Sequence, residues 1–274
     1  MKKIAVVGMG IIGGSICGAL TKAGYYVDGF SRGEESLNYA LKMGYIHAKG
    51  KNLSDYDVVF LAVPVKATLD YLDNATFKDN ALVMDICGVK SSVENIVYQK
   101  SRAYRYVGLH PMAGKETSGI ASASPELFKR ANLIITIAPQ TNEKDLLEAK
   151  EYAAAMGFGH IVECTAQEHD AKIALTSQLA HIVSNAYVKS KQVPNCKGFT
   201  GGSFQDMTRI AGVDEHMWTE LYMHNRSYIL EELDGLIENL GVYRKAIEEQ
   251  DEQALSDALK EGRLIRETFK RRNS

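Results

Sequence analysis

Short continuous runs of hydrophobic residues alternate with amphipathic segments in the first half of the chain. The runs lie at residues 4–7, 26–31, 57–63, 81–86, 106–109 and 133–137, and they predict strands buried on both faces of a sheet. Residues 11–23 and 34–43 have the periodicity of helices. Strands that alternate with helices in this way predict a parallel, doubly wound α/β sheet.

The pattern changes after about residue 163, where helical periodicity takes over. Residues 166–192 predict one long helix, and from Ser203 onward there is neither a strand candidate nor a proline. We therefore expect an α/β domain over residues 1–164 and an all-helical substrate and dimerisation domain over residues 165–274. Leucine and isoleucine recur at helical spacing between residues 221 and 240, and this excess of apolar surface predicts a homodimer.

Composition and charge narrow the class of protein. The 274 residues are 45% hydrophobic and 24% charged, as in globular proteins with a packed core. A net charge of −2 predicts no nucleic-acid or membrane partner. The first predicted strand begins near Lys3, so we expect no targeting segment. The four cysteines form no CxxC pair and the histidines lack metal-ligand spacing, which favours a cytoplasmic enzyme with reduced thiols and no metal.

A glycine-rich turn follows the first predicted strand and opens the first predicted helix as GxGxxG. In that context the first glycine allows a tight turn, the second lets a pyrophosphate approach the backbone, and the third permits close helix–strand packing. The helix N-terminus offers N–H groups and partial positive charge to the phosphates. A turn without a ligand is the plain alternative. The motif predicts a Rossmann domain that binds a nicotinamide dinucleotide through Gly8, Gly10, Ile11, Ile12 and Gly13.

The end of the second predicted strand bears on the choice between NAD and NADP. An NAD site usually has an acidic residue there, bonded to the ribose 2′-hydroxyl. Ser31 and Arg32 occupy this position, and Asp28, the only acid of the strand, comes three residues too early. Serine and arginine can bind a 2′-phosphate, so the sequence favours NADP. The alternative is that Arg32 is a solvated loop residue.

A histidine follows the predicted strand at residues 106–109. His110 precedes Pro111 and a glycine-containing loop, at the sheet edge where open α/β folds bind their ligands. Because a lone histidine is often structural, its position alone leaves both a structural and a catalytic role open.

Motifs along nearly the whole chain resemble those of the prephenate and arogenate dehydrogenases. They are GMGIIGGS at residues 8–15, DICGVK at 85–90, HPMAGKETSG at 110–119, SQLAH at 177–181 and GGSFQDMTRIA at 201–211. The resemblance implies oxidative decarboxylation of a cyclohexadiene, in which a hydride leaves the carbinol carbon for the nicotinamide, carbon dioxide departs and the ring becomes aromatic. It leaves prephenate and arogenate equally open as substrates.

The resemblance also implies roles for individual residues. His110 would accept the proton of the substrate hydroxyl, which requires a neutral imidazole. Arg209 would hold the ring carboxylate, with Asp206 one helical turn earlier to orient it. The other residues that the resemblance places at the substrate are Ser177, His181 and Gly202, with Trp218 near the wall. Those that it places at the cofactor are Val63 and Gly88.

Two positions depart from the family's pattern. The usual Asp-x-x-Ser-Val-Lys reads DICGVK here, so the serine hydroxyl expected beside the catalytic histidine is missing at Gly88. Water or a backbone group could orient His110 instead, whereas Cys87 should point the other way in an extended segment. Lys115 stands where the family often has serine or threonine. We predict that it faces the substrate side chain or the cofactor phosphates, with an exposed loop lysine as the alternative.

Two other functions compete with this interpretation. Another NADP oxidoreductase of the β-hydroxyacid dehydrogenase type would share the Rossmann half, but would not account for HPMAG together with TRIA. A non-catalytic dinucleotide-sensing protein would account for the missing serine. Both depend on fold alone, which constrains function weakly.

Overall fold

The computed structural model of the chain describes residues 2–114 and 117–273, so the predicted role of Lys115 lies outside the described residues. The strands are β1 (Ile4–Val7), β2 (Val27–Phe30), β3 (Ala48–Lys49), β4 (Val58–Leu61), β5 (Leu82–Asp85), β6 (Arg105–Met112), β7 (Asn132–Thr136) and β8 (His160–Cys164). They form one sheet in the order β3-β2-β1-β4-β5-β6-β7-β8.

Helices connect the strands and make up the rest of the fold. They are α1 (Ile11–Lys22), α2 (Glu34–Lys42), α3 (Val65–Asn74), α4 (Ser91–Tyr98), α5 (Glu143–Met156), α6 (Ala166–Ile173), α7 (Ala180–Tyr187), α8 (Gly202–Thr208), α9 (Glu215–His224), α10 (Arg226–Glu248) and α11 (Glu252–Asn273). A π-helical segment, Ala174–Leu179, joins α6 to α7 where the sequence predicts one uninterrupted helix. No helix of the described chain is both long enough and apolar enough to cross a membrane.

The sheet is parallel except at one pair of strands. β6 and β7 run antiparallel, which differs from the fully parallel sheet that the sequence predicts. A parallel return needs a crossover connection, usually a helix. Between these two strands the described residues form only turns and a short 3₁₀ segment, Ile120–Ser122. The predicted α/β class is nevertheless confirmed, as is the all-helical C-terminal part.

Both faces of the sheet are covered, as the continuous hydrophobic runs predict. In β4, Val58 and Phe60 contribute to the core on one face, and Val59 and Leu61 to the core on the other. Helices α1 and α5 supply side chains to the first core, and α3 and α4 supply side chains to the second. The central strands are therefore fixed from both sides, and their carboxyl ends have a defined position.

The chain divides into two compact units, residues 1–225 and residues 226–274. The first contains the sheet and α1 to α9. The second consists of α10 and α11, which pack together with the Tyr243 hydroxyl bonded to the Ala258 carbonyl. Several large apolar side chains of this unit are exposed, as expected for helices that a partner chain covers; they include Ile237, Leu240, Ile247, Ile265 and Phe269. The domain boundary predicted between residues 164 and 165 stays a prediction.

A buried ion pair joins β5 to the start of α4. The ammonium group of Lys90, which is 0% exposed, lies 2.6 Å from Oδ2 of Asp85. The Tyr106 hydroxyl donates to Oδ1 of the same carboxylate at 2.6 Å, and the Cys87 N–H donates to Oδ2 at 2.8 Å. Buried charges are tolerated when they are paired and hydrogen-bonded in this way. The cluster fixes the segment that connects the sheet edge to α4.

Removing the cation of this pair should destabilise the fold strongly. Lys90→Met leaves the Asp85 carboxylate buried without its partner, and we expect a loss of about 3–5 kcal/mol in the free energy of unfolding, measured with urea. The double variant Asp85→Asn/Lys90→Met should recover part of that loss. As a control, Lys78→Met removes an exposed pair with Asp57 and should cost at most about 1 kcal/mol. Equal losses in the two single variants would contradict the assignment.

Candidate active site

The glycine-rich turn lies between β1 and α1, against the end of β4. Gly8 has φ +101°, and a Cβ there would lie 2.1 Å from the Ala62 carbonyl oxygen and 2.9 Å from Cγ1 of Val63. A Cβ at Gly13 would lie 1.8 Å from the Gly8 carbonyl oxygen. A Cβ at Gly10 would meet no heavy atom within 4 Å. The first and third glycines are therefore required by the turn itself, whereas the second borders open space.

The N-terminus of α1 has the character of an anion site. Ile11 is its first residue and Ile12 its second, and the first turn has neither an acidic residue nor a side-chain cap. The first N–H groups of a helix have no partner within the helix, so they can bind phosphate oxygens. These residues fit the pyrophosphate of a dinucleotide.

The segment after β2 would meet the adenosine ribose of that dinucleotide. Ser31 Oγ accepts a hydrogen bond from the Gly33 N–H at 3.2 Å, and Arg32 is exposed. Asp28 lies earlier in the strand, where it is buried and accepts a hydrogen bond from the Tyr56 hydroxyl at 2.8 Å. Because Asp28 is buried and bonded to Tyr56, it is not positioned to bind the ribose.

His110 lies within β6 and not after it, because the antiparallel pairing with β7 continues the strand through Met112. Gly108 pairs with Asp85, the last residue of β5. His110, two residues further along β6, therefore lies beyond the carboxyl end of that neighbour. This is the edge of the sheet at which the sequence places it.

The partner of His110 is a second histidine, which the sequence analysis missed. His110 Nδ1 lies 2.8 Å from Nε2 of His169, and His169 Nδ1 lies 2.7 Å from Oδ1 of Asp170. Neither water nor a backbone group is needed to hold the ring. A signal for His169 was present, since it precedes Ser177 by eight residues on the same predicted helix and therefore lies near the same face.

Burial and nearby charge keep both histidines neutral. Burial is the main cause that lowers the pKa of His110 well below its ordinary value, and electrostatic interactions with His169 and Lys90 lower it further. Burial likewise lowers the pKa of His169, against the opposing effect of Asp170. Burial alone would raise the pKa of Asp170, but its hydrogen bonds to His169 and Ser91 bring that pKa below the ordinary value.

Position 88 faces the other nitrogen of His110. A Cβ at Gly88 would lie 3.7 Å from His110 Nε2 and 3.5 Å from Cδ2 of Leu221, which are ordinary contact distances. The neighbouring Cys87 points elsewhere, as predicted, with its sulfur 3.3 Å from Thr68 Oγ1. A serine would fit at position 88, and its absence leaves space beside Nε2.

Side chains of α7 hold the segment that carries Arg209. His181 Nδ1 lies 2.9 Å from the Ile210 carbonyl oxygen, and the Ser184 hydroxyl donates to the Met207 carbonyl at 2.7 Å. The Asn185 side-chain amide donates to the Ala211 carbonyl at 3.1 Å. Arg209, at the C-terminal end of α8, is exposed. The two motifs SQLAH and TRIA are thus joined directly.

The remaining predicted substrate residues lie on the π-helical segment, on α8 and on α9. Ser177 is half-buried in the π-helical segment, a feature frequent at functional sites. Gly202 is the exposed first residue of α8, and Asp206 is exposed one turn before Arg209. The Trp218 ring packs on His181 with centroids 4.0 Å apart. Side chains of the described segments include no group of three or more histidine, cysteine, aspartate or glutamate residues that could hold a metal ion.

The sheet, the glycine turn and the paired histidines define a dinucleotide-binding oxidoreductase. The family model of the prephenate dehydrogenase nucleotide-binding domain matches residues 16–162, and that of the dimerization domain matches residues 165–261. The chain therefore belongs to the prephenate dehydrogenase family.

Individual relatives agree with this assignment. The prephenate dehydrogenase of Lactococcus lactis subsp. cremoris is 32% identical over 284 residues, which cover 98% of this chain and 78% of the relative. The cyclohexadienyl dehydrogenase of Zymomonas mobilis subsp. mobilis is 29% identical over 286 residues, which cover 98% and 96%. The crystal structure of prephenate dehydrogenase from A. aeolicus, in complex with hydroxyphenyl propionate and NAD+, matches with a TM-score of 0.85 and 27% identity over 98% of each chain.

These matches confirm the enzyme class predicted from the sequence, a nicotinamide dinucleotide-dependent dehydrogenase of the prephenate dehydrogenase family. The match to the dimerization domain supports the predicted homodimer. The comparisons do not favour the two competing functions, another β-hydroxyacid-type oxidoreductase and a non-catalytic sensor.

Alanine substitutions in the glycine turn should separate folding from cofactor binding. Gly13→Ala forces a clash with the Gly8 carbonyl and should lower the free energy of unfolding by about 1–3 kcal/mol. Gly10→Ala meets no protein atom, so the stability should be unchanged, but its methyl group lies where the pyrophosphate approaches and should raise the Kd for the cofactor at least ~10-fold. Calorimetric titration measures that Kd. Parental affinity in Gly10→Ala would refute the placement of the pyrophosphate.

Proposed function

We propose that His110 is the base with which this enzyme oxidises and decarboxylates prephenate or arogenate. The observation that carries the proposal is the placement of His110, whose Nδ1 contacts His169 while its Nε2 faces the space beside Gly88. Burial also holds the pKa of His110 well below its ordinary value, which favours the neutral ring. A general base must be unprotonated and directed at the proton that it removes. The lowered pKa of His110 supports the first condition, and the position of Nε2, at the edge of the sheet where the cofactor turn lies, supports the second.

The residues divide the reaction between them. When bound, the nicotinamide accepts the hydride from the carbinol carbon. His110 Nε2 accepts the proton of the hydroxyl group as the carbon–oxygen double bond forms. Loss of carbon dioxide leaves its bonding electrons in the ring, which becomes aromatic, and His110 returns the proton to the ring oxygen. No net proton is exchanged with solvent, so the base can work in a buried site.

Arg209 and His181 are proposed to hold the substrate. The guanidinium group of Arg209 is suited to a carboxylate, which it can bind through two parallel hydrogen bonds. Since His181 Nδ1 is directed at the Ile210 carbonyl, its Nε2 remains for the ligand. Ser177 and Gly202 lie on the connected helical segments and complete the proposed pocket. The spacing of Ser177 and His181 from His110 is set by the continuous run from α6 to α7.

A four-way assay tests the function. Prephenate and arogenate are each combined with NAD and NADP, and reduction is followed by absorbance at 340 nm. We expect turnover in at least one mixture, and His110→Asn should lower kcat by about 10²–10⁴-fold. His47→Asn is the control, since His47 is exposed and packs on Tyr26. Absence of turnover in all four mixtures, or parental kcat in His110→Asn, would contradict the proposal.

We also propose that the cofactor is NADP. Arg32 is exposed directly after β2, and the Ser31 hydroxyl, whose oxygen accepts from Gly33, can still donate its hydrogen to a phosphate. The next acid along the chain, Glu34, is paired with Lys49. The end of β2 itself therefore has no carboxylate that would repel a 2′-phosphate.

Arg32→Ala should therefore raise the KM for NADP by about 10–100-fold, because a charge-assisted pair with the phosphate is lost. The KM for NAD should change little. Lys42→Ala, at the far end of α2, removes the same charge at a distance and serves as the control. A parent enzyme that uses NAD more efficiently than NADP would overturn the preference.

A further inference from the structure

The carboxylate of Asp170 is held at the start of α4. Its Oδ1 accepts a hydrogen bond from the Lys90 N–H and its Oδ2 accepts one from the Ser91 N–H, both at 2.8 Å. The side chain is 1% exposed. Hydrogen bonds to the charged form and the partial positive charge of a helix N-terminus both favour an ionised carboxylate. Asp170 is therefore an anion that can only accept hydrogen bonds.

An anion at this position fixes the proton of His169. Because Asp170 cannot donate, the hydrogen of the 2.7 Å contact belongs to Nδ1 of His169. His169 is fully buried, and burial lowers its pKa, so the ring is neutral. A neutral imidazole with hydrogen on Nδ1 has a lone pair on Nε2.

The lone pair on Nε2 of His169 in turn fixes the proton of His110. His169 Nε2 can only accept, so the hydrogen of its 2.8 Å contact belongs to Nδ1 of His110. We propose that His169 and Asp170 are positioning residues that fix His110 in the tautomer with a lone pair on Nε2. This inference rests on the proposed role of His110 as the base and names the groups that prepare it.

Glycine at position 88 makes this chain depend on that arrangement. A serine hydroxyl there would lie close to Nε2, since a Cβ at Gly88 already comes within 3.7 Å of that nitrogen. Glycine has no side chain to form a hydrogen bond with the ring, so no hydroxyl at this position competes for the lone pair on His110 Nε2. The orientation of His110 therefore comes from its Nδ1 side, through His169.

The charged neighbours fit this role. Apart from the two histidines and Asp170, the titratable groups around the site are Asp85 and Cys87 at the end of β5, Lys90 and Glu94 at the start of α4, and Tyr106 in β6. Lys90 opposes protonation of both rings, whereas Asp170 favours it at His169.

When Nε2 of His110 gains the substrate proton, the proton on Nδ1 of His110 can move to His169, which places the positive charge beside Asp170. The reverse shift restores the resting state.

Substitutions of His169 test the proposal. His169→Leu removes the acceptor for His110 Nδ1, and kcat should fall by about 10²–10³-fold. His169→Gln keeps a carbonyl acceptor but cannot carry the charge, so its kcat should fall only about 10-fold. KM and cofactor affinity should stay within about threefold in both variants, since position 169 contacts His110 at Nδ1, on the side away from the space beside Gly88. Should the leucine variant not fold, the glutamine variant and the pH profile below decide.

The pH profile of the parent enzyme gives a second readout. The base acts when neutral, so activity is present above the pKa of His110 and is lost as the pH falls through it. Because that pKa is held well below its ordinary value of 6.5, the acid limb of kcat should lie below pH 6.5. In His169→Gln, where the positive charge can no longer move toward Asp170, that limb should shift.

A structural neighbour provides the matched control. Asn225 donates to the Asp170 main-chain carbonyl at 2.9 Å and to Gln178 at 2.6 Å, outside the histidine pair. Asn225→Leu should lower the melting temperature and leave the pH profile unchanged. Parental kcat in His169→Leu, or equal kcat in the leucine and glutamine variants, would overturn the positioning role. Parental kcat in His110→Asn would instead overturn the proposed function.

Discussion

The bond between the Asp170 carboxylate and the first N–H groups of α4 is the constraint on which the active site depends. It docks α6, the first helix of the C-terminal part, onto a helix that packs on the sheet. His169, which directly precedes Asp170 in the chain, is thereby brought into contact with His110 in β6. One buried carboxylate thus joins the helical part that we propose binds the substrate to the strand that carries the proposed base.

A neutral histidine in this site is a product of its surroundings. Burial disfavours the charged form of the ring, and the buried cation of Lys90 disfavours it further. Lys90 is itself stable there because Asp85 neutralises it and Tyr106 completes the hydrogen bonding. The cluster that stabilises the fold therefore also contributes to the neutral state that the proposed base requires. Fold stability and reactivity share the same residues here.

Local signals in the sequence predicted much of this structure. Continuous hydrophobic runs located β1 and β4, and the glycine spacing located the cofactor turn, because both depend on short stretches of chain. The antiparallel β6–β7 pair was missed, since strand direction depends on the connection and not on composition. The His110–His169 contact was missed for a related reason. It joins residues 59 apart and exists only after α6 docks on α4.

Which nitrogen of His110 carries the proton can be measured directly by ¹⁵N NMR of the enzyme labelled at histidine. The His110→Asn and His169→Gln variants assign the two rings. We expect that at neutral pH both rings are uncharged, with hydrogen on Nδ1 and a lone pair on Nε2. A hydrogen on Nε2 of His110, or a charged ring in the resting enzyme, would contradict it.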